Sequence, residues 1–200
     1  MRDEVKQYKR SRIVEEASKL FYEHGYDATS VDMLAVELGV TKPFIYSYFE
    51  NKRAILEAVH EAAAHRVLGH IKTAIHAPGP PDERLQRFVE LYVNENIKEQ
   101  IASGIYLQEE KNLSSQAKVA ARKIEREFDK LLAGLIREGI ESGVYSIQDA
   151  KMASLCISGM VRWVHRWYKP DGVLGADEIA STISEFALNM VGTKRKSRRK

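Results

Sequence analysis

Between Thr41 and Lys52 the chain reads TKPFIYSYFENK, a stretch that sets hydroxyls, an ammonium group and aromatic rings close together. Ile45 and Phe49 are spaced to point at a common core, which leaves Thr41, Lys42, Phe44, Tyr46, Ser47 and Tyr48 facing outward. Groups of this kind suit a polyanion: Lys42 can neutralise a phosphate, and Tyr46 can meet a phosphate or a thymine methyl. A helix that spends two anchors on packing and leaves so mixed a set exposed has the build of a recognition helix entering a major groove.

Other chemistries find little support. His60, His65 and His70 invite a metal, but each step of five residues turns a helix by about 140°, so they share no face. Glu109 and Glu110 are adjacent and diverge on a helix, which argues against a paired-carboxylate catalyst. The sequence has no G-x-S-x-G, P-loop or Rossmann glycine pattern, so no enzyme, metal or cofactor is expected. Cys156, the one cysteine, sits between Leu155 and Ile157 and reads as a small buried residue in a reducing cytoplasm. The N-terminus lacks an apolar leader and no run approaches a membrane span, so a soluble cytoplasmic protein without a membrane partner is expected.

The net charge of +3 is a poor guide, because the six basic residues within Lys194–Lys200 more than account for it. Residues 193–200 read as a solvated basic tail. Phosphate contact depends instead on local placement: Lys6, Lys9, Arg10 and Arg12 at the first helix, Lys42 at the third, and Lys52 with Arg53 at the fourth.

The elements that must position Thr41–Lys52 are legible upstream. A helix over roughly Tyr8–His24 carries Ile13, Ala17, Leu20 and Phe21 in one stripe. Thr29 has the spacing of an N-cap, with Asp32 three residues on, which predicts a helix from near Ser30 through Val31, Leu34, Ala35 and Leu38. Gly39 ends it, Val40 drops into the core, Thr41 caps the next helix and Pro43 suits its first turn. In this order, FYEHGY, TSV, LGVTK and IYSYFENK, the chain resembles the TetR family of bacterial transcriptional regulators over roughly its first quarter. The resemblance implies a helix-turn-helix over Ser30 to Phe49 and DNA contacts from Thr29, Ser30, Thr41, Lys42, Pro43, Phe44, Tyr46, Ser47, Tyr48 and Lys52. Pro43 and Phe44 depart from the family pattern, where small or polar residues are common; Phe44 either touches a thymine methyl or covers the turn.

Downstream the periodicity stays helical, with no strand alternation. Asn51 caps a helix running to APGPP at Ala77–Pro81; further helices are predicted over Asp82–Gln100, Ile101–Glu110, Gln116–Ser142, Gln148–Tyr168 and Ala176–Val191. Ser146 with Asp149 has a capping-box spacing before the penultimate helix. The fold expected is all-α with about nine helices: a three-helix DNA-binding domain over residues 1–52, then a larger ligand-binding and dimerisation domain over 53–192.

The last two helices carry more apolar surface than one partner layer covers, through Met152, Leu155, Cys156, Gly159, Met160, Trp163, Val164 and Trp167 on one and Ile179, Ile183, Phe186, Ala187 and Met190 on the other. A homodimer that pairs both helices with their copies in a four-helix bundle covers it, and is how the resembling regulators assemble. Two copies then read a pseudo-palindromic operator.

The inward faces of the middle helices nominate Tyr92, Ile105, Tyr106, Phe128, Leu132, Trp163 and Trp167 as ligand walls, with Arg162, His165 and Arg166 beside them for an anionic group. The segment RWYKPDG, Arg166 to Gly172, resembles a turn in a subgroup of these regulators tied to fatty-acid, steroid and aromatic catabolism, some of which respond to acyl-coenzyme A thioesters. An acyl-CoA thioester or hydrophobic acid is therefore the expected effector; a cationic ligand would need a buried acid such as Glu95 or Glu109. The function expected is a ligand-responsive transcriptional repressor, and the alternative is a constitutive architectural DNA-binding protein.

Overall fold

The computed structural model describes residues 2–98 and 113–192. Among them are eight helices: α1 Arg2–His24, α2 Val31–Leu38, α3 Lys42–Tyr46, α4 Lys52–His76, α5 Pro81–Lys98, α6 Ser115–Glu141, α7 Ala150–Trp167 and α8 Ala176–Val191. No strand occurs among the described residues. The helix expected over Ile101–Glu110 and the basic tail lie outside them. The described chain separates into two compact units, one of residues 2–64 with 113–121 and one of residues 65–98 with 122–192, so α4 and α6 each contribute to both.

In the first unit α1 packs on α2 and α2 on α3. Ile13, Ala17, Leu20 and Phe21 of α1 meet Val31, Leu34 and Ala35 of α2, Ile45 of α3, Phe49, and Ile55, Leu56 and Val59 of α4 in one buried cluster. Gly39 takes a left-handed φ of 62°, and the Gly39 and Val40 N–H groups donate back to Val36 and Ala35, closing α2 so that Val40 packs against the cluster. The start of α2 differs from expectation. Ser30, not Thr29, is its N-cap and accepts from the Met33 N–H at 3.1 Å. Thr29 is buried, and its hydroxyl faces the Leu20 carbonyl in the last turns of α1 at 3.1 Å and the Gly25 carbonyl just beyond the helix at 2.7 Å, satisfying that end instead. At the other end of this unit Ser114 caps α6, accepting from the Ala117 N–H, while its own N–H and hydroxyl donate to the Glu57 carboxylate at 2.8 and 3.0 Å.

In the second unit α5 packs along α8 and against α7. Leu85, Phe88, Val89, Tyr92 and Val93 form its buried stripe, as the periodicity predicts. The start of α7 also differs from expectation: Asp149 is the N-cap, accepting from the Met152 N–H at 2.9 Å. Ser146 and Ile147 lie outside the helix because their N–H groups are bonded to the Val191 carbonyl at the end of α8. Tyr145 lies directly over Gly139, where a Cβ has no room.

The two faces of α7 explain a further correction. Ala153, Ser154, Ile157, Ser158, Val161 and Val164 turn inward, whereas Met152, Leu155, Cys156, Gly159, Trp163 and Trp167 turn outward. Cys156 is thus exposed rather than buried, and Trp163, 61% exposed, and Trp167 are not inward residues. On α8, Phe186 is exposed and Met190 half-buried, while Ile179 and Ile183 belong to the chain's own interior instead of an outer face.

Candidate functional site

Helix α3 is short, and its geometry depends on capping at both ends. The Thr41 hydroxyl accepts from the Phe44 N–H, Pro43 occupies the first turn, and beyond Tyr46 the Ser47 and Phe49 N–H groups still reach the Pro43 and Ile45 carbonyls. Ile45 and Phe49 are buried, which anchors the helix and leaves Thr41, Lys42, Pro43, Tyr46 and Ser47 exposed on one short surface beside the exposed Ser30.

Lys42 donates to Asp32 at 2.7 Å, and both side chains are exposed. The Asp32 carboxylate raises the Lys42 pKa above the ordinary lysine value, so the ammonium is charged throughout the neutral range. A surface pair of this kind is weak and exchanges readily for a phosphate. Phe44 and Tyr48 are half-buried with ring centroids 5.2 Å apart, and the Lys9 ammonium lies 5.7 Å from the Phe44 centroid. Phe44 is partly packed against the core cluster of this unit.

Thr29 and Lys52 sit differently from the rest of the expected set. The Lys52 ammonium donates to the Tyr26 and Thr29 carbonyls at 2.8 and 2.9 Å and lies 4.2 Å from the Tyr26 ring centroid. Together with the buried Thr29 hydroxyl, it ties the α1–α2 corner to the start of α4.

In the second unit Tyr92, Phe128 and Arg162 come together, and Leu132, one turn beyond Phe128 on α6, is buried. Tyr92 stacks on Phe128 at 5.0 Å, and the Arg162 Nε donates to its hydroxyl at 3.1 Å. Arg162 also donates to Asp129 at 3.0 Å, and the Ser158 hydroxyl donates to the same carboxylate oxygen at 2.9 Å. Burial works against the Arg162 charge, but Tyr92 and Asp129 outweigh it and hold its pKa above the ordinary arginine value. Burial also raises the Tyr92 pKa, so its hydroxyl stays protonated. Nothing in the sequence points to Asp129 and Ser158, which lie far from Arg162 along the chain and approach it only through helix packing.

Trp163 follows Arg162 and is rotated from it by about 100°, so the two cannot face the same side. Trp163 stands outward with Arg166 5.9 Å from its ring. His165 is half-buried with Nδ1 against the Arg162 carbonyl, and Trp167 is exposed. Ile105, Tyr106 and Glu109 lie outside the described residues. Glu95 is buried and meets Lys98 at 2.9 Å and His70 at 3.4 Å. Among the described residues no group of three His, Cys, Asp or Glu side chains could hold a metal, and no helix is long and apolar enough to cross a membrane.

Residues 13–59 match the family described as bacterial regulatory proteins, tetR family, and residues 78–191 match the tetracyclin repressor-like C-terminal domain. A TetR/AcrR-family regulator of known structure from Thermobifida fusca is 33% identical, with a TM-score of 0.83 over 94% of this chain and 99% of that one. The transcriptional repressor KstR2 of Rhodococcus jostii is 22% identical over 90% of each chain. The structure of AibR in complex with isovaleryl coenzyme A and operator DNA shares the fold, at 22% identity and a TM-score of 0.73 over 88% of this chain and 96% of that one.

Proposed function

The chain belongs to the TetR family of bacterial regulators, DNA-binding proteins rather than enzymes, and from that premise we propose a homodimeric repressor released from a pseudo-palindromic operator by a small hydrophobic ligand. The observation that carries the reading is the α3 surface, where a helix capped at both ends and anchored by the buried Ile45 offers Thr41, Lys42, Tyr46 and Ser47 to a groove. Residues 1–52 serve as the reading head, and residues 53–192 bind the effector and dimerise.

The outer faces of α7 and α8 support dimerisation. Met152, Leu155, Gly159, Phe186 and Met190 give two neighbouring helices an apolar surface that a second copy covers as a four-helix bundle. For the effector, Tyr92, Phe128 and Leu132 supply apolar area, and Arg162 supplies a positive charge that an acid or thioester competes for with Asp129. An acyl-CoA thioester or hydrophobic acid fits that chemistry, and isovaleryl coenzyme A bound to AibR is of the same class. Ligand binding shifts the dimer toward a state whose reading heads no longer match consecutive grooves.

Acyl-coenzyme A thioesters, free fatty acids, aromatic acids and cationic dyes titrated against the protein bound to its operator test the reading. One of the first three classes should lower operator affinity, and DNA should weaken binding of that compound by the same factor. If every compound that binds leaves DNA affinity untouched, a constitutive architectural protein becomes the better account.

A further inference from the structure

Helix α1 begins well before its first buried residue. From Asp3 to Lys9 every side chain is exposed, Arg10 is half-buried, and Ile13 is the first to enter the core. At 1.5 Å per residue this places about 15 Å of helix ahead of Ile13. On a helix turning about 100° per residue, Lys6, Lys9 and Arg10 fall within roughly 60° of Ile13, on the stripe that Ala17 and Leu20 continue into the core. The core-facing side of α1 thus changes from apolar to basic where the core ends. Asp3 lies at the edge of this basic face and Glu4 on the opposite side of the helix.

Two contacts orient the face. The Arg10 guanidinium lies 4.9 Å from the ring centroid of Phe49, and the Lys9 ammonium 5.7 Å from that of Phe44 on α3 itself. The basic face therefore adjoins the recognition helix and the turn that follows it. A major groove wide enough to admit α3, about 12 Å, is lined on both lips by phosphates. We propose that the exposed N-terminal turns of α1 form a second DNA-contacting element, in which Lys6 and Lys9 neutralise backbone phosphates flanking the groove that α3 enters. Arg10, spread over Phe49, holds the two elements together and is a positioning residue.

This inference rests on the DNA-binding reading above. It explains how a first unit with no basic excess holds a polyanion: Lys6 and Lys9 share one face of α1, and Lys9 reaches the Phe44 ring on the helix that carries Lys42. Contacts of this type carry no base information, so they act equally on operator and on unrelated duplex.

The test is the slope of log affinity against log salt, measured by fluorescence anisotropy on an operator duplex and on a scrambled one. Three proteins are compared: wild type, the Lys6→Ala/Lys9→Ala double variant, and Lys19→Ala. Lys19 lies on the same helix but pairs with Glu15 and Glu16. The double variant should lose up to about 1.8 units of slope per bound protomer on both duplexes, about 3.6 for the dimer at roughly 0.9 per phosphate, while Lys19→Ala keeps the wild-type slope. Because Lys9 touches α3, Lys6→Ala alone, one turn further out, should still lose about 0.9 unit per bound protomer, about 1.8 for the dimer. Wild-type slopes in both the Lys6 and the double variants overturn the proposal and leave the DNA-binding reading intact. An equal loss in Lys19→Ala overturns it in favour of a net-charge effect. A wild-type protein that binds neither duplex removes the reading and this inference together.

Discussion

The α3 turn and helix α7 both place charged and aromatic side chains next to one another, yet they dispose of them in opposite ways. On α3 the buried residues are few, Ile45 and then Phe49, and nearly every polar group is left to the solvent. On α7 Arg162 and Ser158 are drawn inward and satisfied by Asp129 and Tyr92, while Trp163, Met152 and Leu155 are left outside. A surface that leaves its charges solvated can trade them for a phosphate at little cost, whereas one that exposes apolar area gains most from covering it. The first suits the proposed reading head, and the second the proposed dimer face.

Breaking the second surface should have the largest effect. Phe186→Glu brings two like charges together across a two-fold axis, and sedimentation should show monomers. Loss of the paired reading heads should then lower operator affinity on the order of a hundredfold or more. An intact dimer would place the interface elsewhere.

Acid separates the regions next. Burial lowers the His60 pKa in α4 from 6.5 to about 4, so the folded protein keeps this imidazole neutral while the unfolded chain takes up a proton. His60 therefore costs no stability above pH 6.5, and stability falls as the pH drops from 6.5 through 4, by at most about 3 kcal/mol at 1.36 kcal/mol per unit. Denaturant melts of His60→Gln should be flatter than wild type across that window.

Smaller effects sharpen the inside–outside contrast on α7. Arg162→Leu removes the charged donor shared by the Asp129 carboxylate and the Tyr92 hydroxyl, leaving Ser158 on Asp129, and should cost about 2 kcal/mol in urea unfolding. Trp163→Ala, on the outward face, should change the stability of the monomer by no more than about 0.5 kcal/mol. Equal costs for the two would erase the distinction between the faces.

The finest test compares two lysines close in sequence. Lys52→Met removes a charged donor from the Tyr26 and Thr29 carbonyls and should cost about 1.5 to 2 kcal/mol while leaving the salt slope of DNA binding unchanged. Lys42→Ala should do the reverse, lowering the slope by about 0.9 per bound protomer, about 1.8 for the dimer, with stability nearly unaltered. The two readouts, melting and anisotropy, assign one lysine to the fold and the other to DNA.

The sequence by itself determined most of what depends on neighbours a few residues away. The Gly39 stop, the Thr41 cap, the Asn51 cap and the bounds of the last helix are local hydrogen-bond and backbone preferences, and each falls where the residue types place it. The choice between adjacent candidates was already less local: Thr29 and Ser30 are both competent caps, and the burial of Thr29 against the end of α1 left the role to Ser30. What only the tertiary structure decided was which way things face. Helix α7 is apolar on two sides, so its periodicity cannot say which side meets α5 and which meets solvent; the packing of α5 and α8 turned Ile157 and Val161 in and Trp163 out. The same holds for Arg162 and Lys52, whose partners lie tens of residues away and whose charges would suit a ligand or a phosphate equally well until the fold brings carboxylate and carbonyl oxygens within reach.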